Sequence, residues 1–128
     1  MKILLISSDK ALINKVGNPE VIHDNNLVIF NKSNDSLDVM SFVLNTHPSL
    51  LILDDDYLKP LSGKILTSIK NVLPNIAIIF ITSDDSHQLG REITPIGVSY
   101  YTLKPIRVED LKALISSLFK TKSNQEVS

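Results

Sequence analysis

The sequence has 128 residues, of which 43% are hydrophobic and 21% charged, and this length suits one compact domain with a single buried core. Thirteen Lys and Arg residues against fourteen Asp and Glu residues give a formal net charge of −1, so the chain lacks the basic excess typical of nucleic-acid binding. The absence of cysteine excludes disulfides and every thiolate-based metal or redox site.

Five short apolar runs predict β-strands. Four of them lack polar alternation, as expected of strands that are covered on both faces. The runs are Ile3–Ile6, Leu27–Phe30, Leu50–Leu53, Ile76–Ile81 and the weaker Val98–Leu103. None approaches the roughly 20 apolar residues of a membrane helix, and the first run is too short for a signal peptide. The sequence therefore predicts a cytoplasmic protein without a membrane partner.

A segment with helical spacing follows each run. The predicted helices cover about Asp9–Val16, about Asp35–Thr46, an apolar stripe from Ile65 to Leu73, about Ser86–Ile93 and a stripe from Val108 to Phe119. Right-handed crossovers then place the strands in one doubly wound parallel sheet, an α/β fold. We expect one domain over residues 1–120, followed over residues 121–128 by a polar tail or the start of a linker.

Three residues that could accept or bind a phosphoryl group stand where three of these strands end. Asp54 directly follows the third run, so its carboxylate could attack a phosphoryl group at the edge of the sheet. The hydroxyl of Thr82 could bind one phosphoryl oxygen, and the ammonium of Lys104 could neutralise another. Ligands of doubly wound sheets bind at this edge, so we expect the three residues to converge.

The ordered segments of the chain resemble the receiver domain of two-component response regulators. These segments are Lys2–Ile6, Pro48–Asp54, Ile79–Ser83 and Tyr101–Pro105. The resemblance covers essentially the whole chain and implies a flavodoxin-like fold with strand order 2-1-3-4-5. It implies that Asp54 accepts phosphate from a histidine kinase or phosphotransfer protein, and that Lys104 binds the phosphate. It further implies that Thr82 and Tyr101 form a switch pair, and that a cis peptide joins Lys104 to Pro105.

The resemblance is incomplete at the metal site. Receivers usually carry two acidic residues after the first strand to hold Mg²⁺, and this chain has Ser7 and Ser8 there. Family analogy leaves Asp54, the backbone carbonyl of Asp56 and, weakly, Asp9 as ligands. Mg²⁺ prefers hard anionic oxygens in octahedral geometry, so we expect weak binding.

The replacement of the acidic pair by Ser7 and Ser8 also changes the expected partners of Lys104. With the acidic pair missing, Lys104 should face one carboxylate and form an ion pair with Asp54 without metal.

The loop over residues 57–63 is one residue longer than the usual pattern, which leaves the assignments between Asp56 and Gly63 open. Asp9 is more simply explained as the N-cap of the first helix than as a metal ligand.

Three functions remain open from the sequence. The first is a signalling receiver that is phosphorylated on Asp54 and is not an enzyme in its own right. The second is a degenerate receiver that works only by binding proteins. The third is a small phosphohydrolase of the haloacid-dehalogenase type, with Asp54 as nucleophile and Asp56 as general acid.

A partner surface is also expected from the resemblance. An output protein or a second copy would bind the face formed by the fourth predicted helix, the fifth strand and the last helix. Tyr100, Tyr101 and Lys112 lie on this face.

Overall fold

A computed structural model describes the backbone of residues 2–22 and 26–127 and the side chains within these ranges through residue 118. The five strands are β1 (Ile3–Ile6), β2 (Leu27–Phe30), β3 (Leu50–Asp54), β4 (Ala77–Thr82) and β5 (Tyr100–Leu103). The helices are α1 (Lys10–Val16), α2 (Ser36–Thr46), α3 (Asp55–Leu58), α4 (Ser62–Val72), α5 (His87–Ile93) and α6 (Val108–Val127). A 3₁₀ turn over Thr94–Ile96 follows α5.

The strands form one parallel sheet in the order β2-β1-β3-β4-β5, which confirms the predicted fold and strand order. The register pairs Ile6 with Leu53 across β1 and β3, and Asp54 with Ile81 across β3 and β4. Because all strands run the same way, their carboxyl ends share one edge. Asp54, Thr82 and the loops that follow β1 and β5 therefore lie at that edge.

The core has two halves, one on each face of the sheet. Alternate residues of β3 supply both halves: Leu51 and Leu53 pack on one face, and Leu50 and Ile52 on the other. All four side chains are at most 1% exposed. Burial on both faces explains why the strands read as continuous apolar runs.

The predicted helices form with small changes of boundary, and one helix was not predicted. The one-turn helix α3 begins at Asp55, directly after β3, and Asp54 is its N-cap residue. The carboxylate of Asp54 accepts a hydrogen bond from the amide of Asp56 at 3.0 Å. Asp55 and Asp56 stand in the first turn, where negative charge interacts favourably with the helix dipole. The three consecutive aspartates, Asp54–Asp56, therefore form the start of a helix.

The last helix extends past the predicted apolar stripe, as far as Val127. The division into a domain over residues 1–120 and a tail remains a prediction. The peptide bond between Lys104 and Pro105 is cis, as expected, and so is the bond between Lys59 and Pro60. Within residues 2–22 and 26–127, no helix is both long and apolar enough to cross a membrane.

Candidate functional site

The carboxyl edge of the sheet brings three carboxylate side chains together around Lys104. Its ammonium nitrogen lies 2.9 Å from an oxygen of Asp54, 3.0 Å from one of Asp9 and 3.0 Å from one of Asp56. Lys104 directly follows β5, two strands away from Asp54, and its long flexible side chain brings the ammonium group to Asp54. The amide of Lys104 also donates to the carbonyl of Thr82 at 2.8 Å, which fixes the start of the loop. We call Lys104, Asp9, Asp54 and Asp56 the lysine cluster.

The lysine cluster contains the predicted Asp54–Lys104 ion pair, but the expectation that Lys104 faces one carboxylate was wrong. Asp9 and Asp56 supply the two further carboxylates. Asp9 is the N-cap residue of α1 and directly follows the Ser7–Ser8 pair. Its side chain therefore reaches the site from the position after that pair. Its Oδ1 caps α1 by accepting from the amides of Ala11 and Leu12, as the N-cap interpretation predicts, while its Oδ2 binds Lys104.

Asp54 is enclosed at the centre of the lysine cluster. It is 1% exposed and accepts hydrogen bonds from the ammonium of Lys104 at 3.0 Å and the hydroxyl of Ser7 at 2.7 Å. Ser7 is itself fully buried, and its hydroxyl oxygen accepts from the amide of Asp9 at 3.0 Å. A neutral serine thus links β1 to Asp54 by one hydrogen bond, at a place where a second carboxylate would repel Asp54.

Electrostatic interactions favour the charged forms of Lys104, Asp9 and Asp56. Burial lowers the pKa of Lys104, but its hydrogen bonds with Asp54, Asp9 and Asp56 outweigh that effect and raise it above the ordinary lysine value. The hydrogen bond from Lys104 lowers the pKa of Asp9. Burial raises the pKa of Asp56, but hydrogen bonds from Ser83 and Lys104 outweigh it, so the net shift is downward. Lys104, Asp9 and Asp56 are all ionised at neutral pH.

Thr82 lies at the same edge but does not belong to the lysine cluster. Its hydroxyl is fully buried and donates to the Oδ2 of Asp55 at 2.7 Å, and it accepts from the amide of Asp84 at 3.0 Å. Asp55 is 2% exposed. Thr82 is therefore engaged with a carboxylate that the sequence analysis did not single out. The next residue, Ser83, donates to Asp56 at 2.7 Å and ties the end of β4 to α3.

Tyr101, the other predicted switch residue, packs on Phe80 with ring centroids 5.2 Å apart. Its hydroxyl is buried and has no hydrogen-bond partner among the described residues. Burial is the main cause that raises the pKa of this phenol, and the charges of Asp84 and Asp55 add to it. The ring therefore lies against the core.

Sequence reasoning missed two parts of the site. One is Asp55, which was not among the candidate residues predicted from the sequence. The other is the bond between Ser7 and Asp54, because serine was considered only as a poor metal ligand. The sequence carried no signal that separates Asp55 from its two neighbouring aspartates, because the pairing of Asp54 with Ile81, which brings Asp55 near Thr82, is a feature of the folded sheet.

Comparison with known proteins places the fold. No protein-family model and no curated protein matches the sequence. Among solved structures, a CheY-like response regulator receiver domain protein from Methanospirillum hungatei matches with a TM-score of 0.80 and 16% identity, and the alignment covers 97% of both chains. A response regulator receiver domain protein from Clostridium thermocellum matches with a TM-score of 0.74 and 22% identity over 97% of this chain and 98% of that one.

A third match is the signal receiver domain of a DNA-binding response regulator from Colwellia psychrerythraea. Its TM-score is 0.77 and its identity 20%, and the alignment covers 94% of this chain and 98% of that one. The likeness extends over nearly the full length of all three structures. Together with the strand order, it shows that this chain has the CheY-like fold of response regulator receiver domains.

Proposed function

We propose that this chain is a receiver-type domain of two-component signalling that acts by binding another protein while Asp54 stays unphosphorylated. The observation that carries the proposal is the set of three carboxylates around Lys104, at 2.9 to 3.0 Å. An ammonium group has three N–H donors, and here each has a carboxylate partner. None is left for a phosphoryl oxygen.

The position of Asp54 supports the same proposal. In-line attack on a phosphoryl group needs a carboxylate oxygen that the phosphodonor can approach. Asp54 is 1% exposed, and both of its oxygens accept hydrogen bonds, from Ser7 and Lys104 on one and from the amide of Asp56 on the other. A donor would have to displace part of the lysine cluster before it could react.

Mg²⁺ does not fit between these carboxylates while Lys104 lies at their centre. The point at which Asp9, Asp54 and Asp56 converge is filled by the ammonium of Lys104. Ser7 contributes a neutral hydroxyl that already donates to Asp54. A dication placed there would face the positive charge of Lys104 or have to expel it. We therefore assign no step to the metal, and the expected weak binding stays a prediction.

Phosphate acceptance by Asp54 is the second candidate. The Asp54–Lys104 ion pair favours it, because the same cation could offset the charge of a phosphoryl group. It would require Lys104 to release Asp9 or Asp56. A histidine kinase or phosphotransfer protein would then be the donor.

A phosphohydrolase is disfavoured by the state of Asp56. A general acid must hold a proton near neutral pH, which requires a raised pKa. The pKa of Asp56 is instead lowered: although burial raises it, the hydrogen bonds from Ser83 and Lys104 prevail. This supports a signalling domain rather than a hydrolytic enzyme.

The proposed partner surface is a groove of about 720 Å³ between α5 and β5. Tyr101, Leu103 and Pro95 give it apolar area, and Leu103 is 44% exposed. On the same strand, the hydroxyl of Tyr100 bonds that of Ser117 at 2.9 Å and joins β5 to α6. The substitution Leu103→Asp should abolish the binding of an output protein or a second copy at this groove.

The matched control for this surface is Val72→Asp. Val72 is also an exposed apolar residue, but it lies on α4, away from the groove. It should leave the binding of an output protein or second copy unchanged. Equal binding by both variants would remove the groove from the proposal.

We place the domain in the cytoplasm, where two-component receivers act.

The proposal is tested by incubating the chain with acetyl phosphate, with and without Mg²⁺, and measuring intact mass. We expect no gain of a phosphoryl group in the folded protein under either condition. Asp54→Asn is the control for modification at other sites. A phosphoryl gain that disappears in Asp54→Asn would overturn the proposal in favour of the second candidate.

A further inference from the structure

A cavity of about 360 Å³ lies between the segment from α3 to α4 and the start of α5, outside the lysine cluster. Its volume falls in the range of small-molecule sites. Three carboxylate residues line it, Asp55, Asp84 and Glu92, against one cationic residue, Lys59. The ammonium of Lys59 lies 3.5 Å from a carboxylate of the lysine cluster, that of Asp56. The cavity wall therefore carries an excess of negative charge.

A buried polar group without a partner lines the same cavity. Ser62 is 2% exposed, and its hydroxyl has no hydrogen-bond partner among the described residues. Ser62 is the first residue of α4, and the N-cap residue before it, Leu61, makes no side-chain capping bond. Native proteins rarely leave a buried hydroxyl unpaired, so this one points to a group that the chain itself does not supply.

The lack of a side chain at Gly63 leaves room for the exposed side chain of Glu92 against the start of α4. A Cβ at residue 63 would lie 2.6 Å from the Oε1 of Glu92, which is closer than two such atoms approach. Glycine thus lets the carboxylate lie directly on the helix backbone at the cavity wall.

Asp55 adds a buried carboxyl group with one polar partner among the described side chains. Its side chain is buried, and the one hydrogen bond that its carboxyl group makes within the described residues comes from the neutral hydroxyl of Thr82. A buried carboxylate is stabilised most by a cationic donor. A ligand that brought a positive charge into the cavity would supply what Thr82 does not.

We propose that this cavity binds the guanidinium or primary ammonium group of an organic cation, either a small molecule or a side chain of a bound protein. A guanidinium group carries five donors in a fixed plane and can serve several carboxylates and the oxygen of Ser62 together. A bare metal ion is the poorer fit, because no group of His or acidic side chains in the described part of the chain is arranged to hold one. The proposal does not rest on the state of Asp54.

The test is a titration of the labelled full chain with agmatine, which carries both cationic groups, followed by amide chemical shifts. We expect saturable shifts at Ser62, Gly63 and Glu92. Glu92→Gln should weaken binding about tenfold, because a charge-assisted hydrogen bond is lost. Glu109→Gln removes the same charge from the first turn of α6 and should leave the affinity unchanged.

A second variant keeps every charge. Gly63→Ala should also weaken agmatine binding, because its methyl group displaces the carboxylate of Glu92. Alanine is a better helix former than glycine, so the variant should remain folded. Shifts that rise linearly without saturation would overturn the proposal. Equal weakening by Glu92→Gln and Glu109→Gln would also overturn it, because it would reveal only non-specific attraction.

Two peptides distinguish the sources of the cation. Acetyl-Gly-Arg-Gly-amide presents the guanidinium as a protein would, and the citrulline analogue is its neutral isostere. Binding of the arginine peptide as tightly as agmatine supports a protein side chain as the ligand, whereas binding of agmatine alone supports a free small molecule. Equal binding of the citrulline peptide would refute the requirement for positive charge.

Discussion

Replacement of Lys104 by Met tests the lysine cluster most severely. The substitution keeps an apolar stem but leaves three carboxylates around an empty position, one of them, Asp54, nearly fully buried. Removing one partner of a buried ion pair costs about 3 to 5 kcal/mol. The Lys104 side chain is 16% exposed and that of Asp9 is 33% exposed, so solvent screening favours the lower end. We expect a loss of about 3 kcal/mol at pH 7, or a fall in Tm of about 10 °C.

The loss should depend on pH with a definite sign. The pKa values of Asp9 and Asp56 are lowered in the folded chain, so the stabilisation is present above the ordinary carboxyl value of 3.8 and is lost as pH falls through the folded values. The pKa of Lys104 is raised, so its contribution is complete below the ordinary value of 10.5. The difference between Lys104→Met and the wild type should therefore be largest from about pH 5 to 9 and shrink below about pH 4.

Urea unfolding followed by circular dichroism at pH 7 and pH 3 measures this difference. Lys112→Met is the matched control, because Lys112 is exposed on α6, and it should change stability by less than about 0.5 kcal/mol. A loss below about 1 kcal/mol in Lys104→Met, or one that is equal at both pH values, would refute the electrostatic role of the cluster.

Three other substitutions test the surroundings by the same unfolding assay. Thr82→Val should lower the free energy of unfolding by about 1 to 3 kcal/mol, because it removes the donor to the buried carboxyl group of Asp55. Thr82→Ser should retain most of the stability. Equal losses in the two variants would contradict the hydrogen bond. Tyr101→Phe should leave stability unchanged or raise it by up to about 1 kcal/mol, because it removes a buried hydroxyl that has no partner among the described residues. A clear loss would argue for an unseen hydrogen bond. Leu51→Ala, at a fully buried position, should cost about 2 to 5 kcal/mol, whereas Leu37→Ala, at a residue 76% exposed, should cost little.

The sheet could be predicted because its strands are covered on both faces. Burial on both sides requires continuous apolar runs such as Leu50–Leu53, and these runs gave the strands and their sequence order. The end of each strand then gave Asp54 and Lys104, which the parallel sheet brings together. Helix α3 could not be found in this way, because four residues are too few for a periodic apolar pattern.

The partners within the site could not be predicted from residue types alone. Three consecutive aspartates follow the third apolar run, and only the register of β3 against β4 decides which of them faces Thr82. The number of carboxylates around Lys104 was underestimated for a related reason. Asp9 reaches the site through the geometry of the α1 N-cap, which places one of its oxygens on the helix amides and the other on Lys104.

The most direct test of the proposed function is amide chemical-shift mapping of the chain before and after addition of Mg²⁺ with beryllofluoride, a mimic of the phosphoryl group. If Lys104 holds Asp54 unreactive, shifts across residues 7–9, 54–56, 82–84 and 101–104 should stay as they are, and Asp54→Asn should behave like the wild type. A large response at all four segments that is absent in Asp54→Asn would contradict the proposal and establish Asp54 as a working phosphate acceptor.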